Sequence, residues 1–481
     1  MKKYIIIGMI AGLTVSCENF LDLGPANSIN TQSFYKTPND VQTVLVGAYS
    51  TLRDIHNINL HYMGDLTTDN AEIQLPNPSA SEQQFDQMTF TPTNDYFPGF
   101  WSNCYRLITR CNTVLNHVDG VGFDDATKNS VQGQCLFLRA YGYFLLVRMF
   151  GEVSIVTEEF TSPNQVATSD LRRKPVEEVY SLIISDLTQA ANFFPTAVPA
   201  TKGQASIGAV KTLLAKVYLT RKEYAKALAE LDAVMALKKA DGSKAYNLQS
   251  DYSQLFKERN NDLAESIFEI EYASGNLGLG NSYASQFYPL LQGMQVFKGD
   301  LLGGGRCVPT QSLLDAYEPD DKRKEASVGD QLQVSNAMLT SRFCKKFIDY
   351  NVTILSDGGV NFTAFRYADI LLMYAEASNE TDRAGAETYL NEVRERAGLD
   401  PVSGLGKEDF RLAIEQERRV EFAFEQQRWF DLVRTGRLKD VMDAHFQSKG
   451  QAFTVADHRW LLPVPQSQRD IDPKLTQNPG Y

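Results

Sequence analysis

Positive charge, histidine, tryptophan and long apolar runs are all scarce in this 481-residue chain. Each scarcity removes a class of function. Lysine and arginine total 47 against 59 aspartates and glutamates, a formal charge of −12. A nucleic-acid partner needs a basic stripe, and a polybasic membrane surface needs clustered lysines, so neither fits this balance. The histidines (His56, His61, His117, His445, His458) are scattered and the six cysteines form no C-x-x-C, so neither zinc nor a redox dithiol is indicated. Cys104 and Cys111 sit in a helix-like stretch, about 10 Å apart along the axis, which is beyond disulfide reach. Buried free thiols are expected. No Gly-x-Ser-x-Gly elbow, His-Glu-x-x-His or Walker sequence occurs, so no enzyme chemistry, cofactor or catalytic metal is expected.

The one compact apolar run stands at the start. Lys2 and Lys3 precede Ile5 to Val15, and small Ser16 leads into Cys17. The run is too short to span a bilayer, which takes about 20 residues. It has the charge, length and small-residue exit of a secretory signal. A cysteine at the cleavage point matches a bacterial lipobox, although Thr14 stands where leucine is usual. Residues 1–16 are therefore expected to be removed, Cys17 to carry lipid, and the rest to work outside the cytoplasm. Residues 17–39 read as a polar tether and 40–481 as one domain.

Within that domain, Thr37-Pro-Asn-Asp40 is a helix-start sequence ahead of Val41, Leu45 and Tyr49. Loop-rich stretches are expected over about 56–98 and 247–360, the second with a strand-like Ser266 to Glu271. Helices are expected at Phe100 to Val118, Asn129 to Phe150, Pro175 to Phe194, Ser206 to Thr220 and Glu223 to Leu237. They resume at Phe365 to Asn379, Gly385 to Ala397 and Lys407 to Leu438, and the proline-rich tail from Trp460 should be extended. Leu214, Ala215 and Tyr218, then Ala227, Leu231 and Val234, follow tetratricopeptide spacing, in which small residues let two helices cross closely. Ala140, Tyr143, Leu187, Ala190 and Pro195 repeat it, and Ala386, Leu390 and Val393 echo its second helix after Ile370 to Ala377. Three copies point to a helical repeat scaffold.

Specific strings then carry a resemblance. They are Phe137-Leu-Arg-Ala-Tyr-Gly-Tyr-Phe-Leu-Leu-Val-Arg-Met-Phe-Gly151, Phe365-Arg-Tyr-Ala-Asp-Ile-Leu-Leu-Met-Tyr-Ala-Glu-Ala377, Glu417-Arg-Arg-Val-Glu-Phe-Ala-Phe-Glu425, Arg428-Trp-Phe-Asp-Leu432 and Gln477-Asn-Pro-Gly-Tyr481. With Cys17 and Phe20-Leu-Asp22 at the start, they resemble the SusD/RagB family of outer-membrane nutrient-binding lipoproteins. Gln426-Gln427 stands where the family often has a glycine. The resemblance implies a mostly helical fold of four tetratricopeptide-like pairs under an irregular ligand-binding face. It also implies a non-catalytic role: capturing an oligosaccharide and docking as a lid on a SusC-like TonB-dependent transporter. Peptide capture on the same scaffold is the alternative, and a surface glycoside hydrolase is a third reading.

Glu417, Glu421 and Glu425 are four apart, as if on one helix face, and paired carboxylates are what glycosidases use. Arg418, Arg419 and Arg428 lie close by, so ion-paired packing is the expected role. Sugar binding needs flat apolar faces beside amides and carboxylates. Trp101, Trp429 and Trp460 all fall in structural strings, which leaves loop tyrosines and phenylalanines. The expected ligand contacts are Tyr96, Phe97, Tyr288 and Phe297, with Asp69 and Asn70 as polar partners. Whether calcium supports the binding loop is left open.

Overall fold

The computed structural model describes residues 35–74, 78–199, 202–258, 260–290, 303–334, 337–452 and 454–481. Cys17 and Phe297 lie outside them. Among the described residues, eight helices make the frame: α1 (Pro38–His56), α2 (Tyr96–His117), α3 (Asp125–Phe150), α4 (Val176–Ala191), α5 (Ile207–Thr220), α6 (Tyr224–Ala236), α7 (Tyr367–Glu380) and α8 (Ala386–Ala397). They pack in chain order as four pairs, α1 with α2, α3 with α4, α5 with α6 and α7 with α8, and each pair leans on the next. This is the mostly helical repeat scaffold that the spacing and the strings implied.

Local chemistry explains the parts. The Thr37 hydroxyl accepts from the Asp40 N–H while the Asp40 carboxylate accepts from the Thr37 N–H, a capping box that starts α1 with Pro38 inside it. The repeat positions Ala140, Tyr143, Leu187, Ala190, Ala215, Ala227, Leu231, Leu390 and Val393 are all fully buried. Helix α3 is buried on nearly every side, as a helix in the middle of a stack must be. Gly142 lets α2 approach it: a Cβ there would sit 3.3 Å from Ile108. Cys104, Cys111, Cys135, Cys307 and Cys344 are buried free thiols.

Several boundaries differ from expectation. Helix α2 begins at Tyr96, so Tyr96 and Phe97 belong to its first turn rather than to a loop. Residues 457–460 and 466–471 of the tail are helical turns. The helix expected over 407–438 is two pieces, α9 (Lys407–Glu421) and α10 (Arg428–Thr435), and a further helix, α11 (Leu438–Ser448), runs on past its expected end. The break after Glu421 puts Phe424 and Gln426 at φ +65° and +60°. Side-chain anchors hold that costly conformation. The Gln426 N–H donates to Asp65, its Oε1 pairs with His56 Nδ1, and its backbone packs against Gly64, where a Cβ would come within 3.0 Å.

The irregular segments form short strands over this frame: β1 (Ala71–Glu72), β2 (Ser266–Ile270), β3 (Val308–Pro309), β4 (Val328–Val334), β5 (Ala337–Cys344) and β6 (Phe362–Arg366). β1 pairs antiparallel with β3, β2 with β6, and β4 with β5 as a hairpin. A buried ionic network joins strands to frame. Glu421 accepts from Arg323 at 2.9 Å and from Arg366 and Arg396 at 2.5 Å each. Glu417 bonds Arg323 and Arg394, and Glu425 bonds Lys346 and Arg366. Burial alone would raise the Glu421 carboxyl, but Arg396, Arg366 and Arg323 outweigh it and hold it well below its ordinary value. Ion-paired packing is thus the role of the glutamate series, although the helix ends before Glu425.

Removing one partner of such a cluster strands the others in a low-dielectric interior. Glu421→Ala is expected to lower the unfolding free energy by about 3–5 kcal/mol in urea titrations. Asp54→Ala, which breaks the half-exposed Arg106–Asp54 pair, should cost under about 1 kcal/mol. Equal losses in the two variants would refute a structural role for the network.

Candidate ligand-binding cleft

Residues before β1 are tied down by ion pairs. Asp69 takes Arg428 in a bidentate pair at 2.9 and 3.0 Å, and Asn70 Oδ1 accepts from Arg419 Nε at 2.9 Å. β1 then pairs Glu72 with Val308, and Gln74 clasps the Leu290 backbone, accepting from its N–H and donating to its carbonyl. The two irregular regions of the chain therefore meet at one edge. Between them and the hairpin strand β5 opens a cleft of about 680 Å³.

Its lining sets polar side chains among apolar Ile73, Pro78 and Val308. Glu72, Gln74, Gln83, Asp86 and Gln87 come from the first region, Thr340, Ser341 and Arg342 from β5, and Lys449 and Gln451 from the end of α11. Glu72 is satisfied at both oxygens, by Arg342 at 2.6 Å and by Lys449 at 3.1 Å. Two other acceptors are not: Asp86 Oδ1 and Gln451 Oε1 are buried without a hydrogen-bond donor. Burial, with Glu72 nearby, pushes the Asp86 carboxyl up to about 6 despite Lys449. Unpaired buried acceptors destabilise a fold. Two of them on the wall of an open cleft are what a ligand rich in hydroxyl donors would satisfy.

Most side chains singled out from the sequence lie inside the protein. Phe97 is fully buried, edge-on to Phe85 and Phe90. Tyr96 is half-buried; its hydroxyl donates to Glu82 and its ring meets Tyr62 and Phe85. Tyr288 is 4% exposed and packs on Phe343 and Tyr350. Asp69 is buried, and although burial opposes it, Arg428 and Arg419 hold its carboxyl at about 2. The structure places Phe97, Tyr288, Asp69 and Asn70 in the interior: packing holds the rings, Arg428 and Arg419 pair with Asp69, and Arg419 donates to Asn70 Oδ1. Phe297 is outside the described residues. Of the tryptophans, Trp101 and Trp429 are buried and Trp460 is half exposed. Sequence reasoning missed Glu72, Asp86, Arg342, Lys449 and Gln451. Pairing of β1 with β3, some 236 residues apart in sequence, brings them together, and no local pattern marks that.

Comparison with known proteins agrees with the architecture. A family model described as SusD family matches residues 327–481, and one described as starch-binding associating with outer membrane matches 19–219. The chain is 27% identical over 519 residues to SusD-like protein P2 of Formosa agariphila, covering 100% of each. It is 26% identical to a SusD-like protein of Bacteroides ovatus, covering 94% of this chain and 86% of that one. Among solved structures, a laminarin binding SusD-like protein superposes with TM-score 0.79 at 28% identity, covering 93% of this chain and 100% of that one. Surface glycan-binding protein A from Bacteroides thetaiotaomicron, solved in complex with laminarihexaose, shares the fold at TM-score 0.75 and 23% identity, covering 92% of this chain and 100% of that one. The two family models together span well over half of the chain, in order and on either side of the irregular region, and the chain belongs to the SusD family.

Proposed function

We propose that this protein captures a hydroxyl-rich glycan at the outer membrane without cleaving it, and passes it to a SusC-like TonB-dependent transporter. The observation that carries the reading is the cleft between β1 and β5 with its two donorless acceptors, Asp86 and Gln451. A similar structure at 28% identity is a laminarin binding protein, and related chains carry binding names rather than enzymatic ones. The one carboxylate series that could suggest glycosidase chemistry is consumed by arginines: Glu417 and Glu421 are buried in the ionic network. Release is as necessary as capture for delivery. A micromolar Kd, about −8 kcal/mol, suits that better than a nanomolar one.

Asp86 offers a test in which stability and affinity move in opposite directions. Its folded-state carboxyl titrates near 6, above the ordinary 3.8, so its contribution is favourable below the unfolded value and is lost as pH rises through 6. Asp86→Asn should therefore be more stable than the parent at pH 7, by about 3 kcal/mol. In calorimetric titration with β-glucan oligosaccharides the same variant, and Gln451→Leu, should each bind about tenfold more weakly. Unchanged affinity in both would place the glycan elsewhere. A response only to peptides, or release of cleaved sugar, would overturn the glycan-capture reading itself.

Anchoring is tested separately. No helix among the described residues is long and apolar enough to cross a membrane, which is compatible with attachment through lipid on Cys17. Cys17→Ala is expected to move the protein from the membrane fraction to the soluble one while leaving glycan affinity unchanged. A loss of affinity would instead give Cys17 a structural role.

A further inference from the structure

A second cleft, of about 590 Å³, lies between the 3-10 turn Tyr252–Phe256, the short helix Lys322–Ser327 and residues 345–351. Its chemistry is opposite to that of the first. There the unmet groups are acceptors; here they are donors. Lys257, Lys322 and Lys345 line it, and among the described residues none of them pairs with a carboxylate. Four acids line it as well, and three of them accept hydrogen bonds from neutral groups, which orient these carboxylates and leave their charge in place. Asp251 takes Ser253 and Gln254, Asp349 takes the N–H groups of Asn351 and Gly359, and Glu258 takes the Ser274 hydroxyl. Glu325 is the exposed acid on the rim.

A fourth cation reaches the same cleft from inside. The Arg396 side chain is 5% exposed, and its outer nitrogens bond Glu265 and Glu421. Its Nε is buried with no acceptor. A guanidinium N–H left unpaired at a cleft wall is a vacancy for an oxygen acceptor, and one that costs stability while empty. Beside it stands Tyr350, 53% exposed, its ring perpendicular to that of Tyr288 with the centroids 6.2 Å apart. An aromatic face next to unpaired cationic donors suits a sugar ring that carries a negative charge.

We propose that this cleft is a second saccharide site, selective for an acidic sugar unit whose carboxylate or sulfate ester meets Lys257, Lys322, Lys345 and Arg396 Nε while its ring lies on Tyr350. In a chain of net charge −12, a general attraction for anions is not available, so such selectivity has to be local. The site stands on its own geometry and does not depend on the cleft that contains Asp86.

Calorimetric titration of the full-length protein with three probes tests it: an oligogalacturonate, a sulfated oligosaccharide and neutral laminarihexaose. The parent should bind at least one acidic probe, and raising salt from 50 to 300 mM should weaken that binding severalfold. Which of the two binds decides between carboxylate and sulfate. The surface double variant Lys257→Gln/Lys345→Gln should lose at least tenfold for that probe and nothing for laminarihexaose, and Tyr350→Ala should lose a similar amount. Asp86→Asn should leave acidic-probe affinity intact, which separates this site from the proposed capture cleft. Failure of both acidic probes to bind, or parent-like affinity in the lysine variant, would overturn the proposal. Parent-like affinity in Tyr350→Ala would reduce it from a sugar site to an ion site and so overturn it as stated.

Discussion

Three arginines from three separate parts of the chain close on the single carboxylate of Glu421. Arg323 comes from the short helix ahead of the hairpin, Arg366 from the end of β6, and Arg396 from the last turn of α8. These groups are withdrawn from water: Glu421 and Arg323 have fully buried side chains, Arg366 is 2% exposed, and Arg396 is 5% exposed where it lines the second cleft. Charges this deep are tolerated only when every one is paired. That makes the cluster a register device. The helical frame could be assembled from apolar stripes alone, but the described residues between α6 and α7 form short strands and helices of at most six residues, with little periodicity. Its position is set by where its arginines and Lys346 must sit.

From that anchor the cleft between β1 and β5 follows by short steps. Lys346 bonds Glu425 from two residues beyond β5, and Arg342 on the same strand reaches across to Glu72. Glu72 stands on β1, and the residues just before β1 are held by Arg428 and Arg419, which belong to α9 and α10. Both walls of the cleft are thus tied to one turn of chain around residues 419–428. The same turn carries Gln426 at positive φ, fixed by Asp65 and His56. Burial pushes the His56 imidazole down to about 3, so it stays neutral and can hold Gln426 and Tyr141 by hydrogen bonds at ordinary pH.

The frame was legible in the sequence because its determinants are local: alanine and leucine at three- and four-residue spacing, caps such as Thr37-Pro-Asn-Asp40, and an all-round apolar α3. Reading α9 to α10 as one helix failed because apolar periodicity continues through Phe422, Phe424 and Trp429 while the backbone turns at residues 424–426. Only the distant Asp65 and His56 explain that turn. The ligand face was the least legible. Tyr96, Phe97 and Asp69 carry the residue types of a sugar site, and the structure uses them to brace it. The cleft's own glutamines and charges look unremarkable in sequence, and only β1–β3 pairing makes them neighbours.

Buried polar groups fall into two populations with different meanings. Those of the ionic network are paired at nearly every atom, and their value lies in positioning. Other orphans lie in the core: neutral groups such as Trp429 Nε1 and Thr212 Oγ1, and one oxygen of the Asp65 carboxylate, whose other oxygen takes His61 and the Gln426 N–H. Asp86 Oδ1, Gln451 Oε1 and Arg396 Nε are unpaired on the walls of open clefts, and two of the three belong to ionisable side chains. Arg396 belongs to both populations: its outer nitrogens complete the network, its Nε is buried without an acceptor, and the residue lines the second cleft. A ligand that bonds this atom would therefore touch the same side chain that holds Glu421. The rigid anchor of the fold and a responsive binding surface are then separated by the width of one guanidinium group.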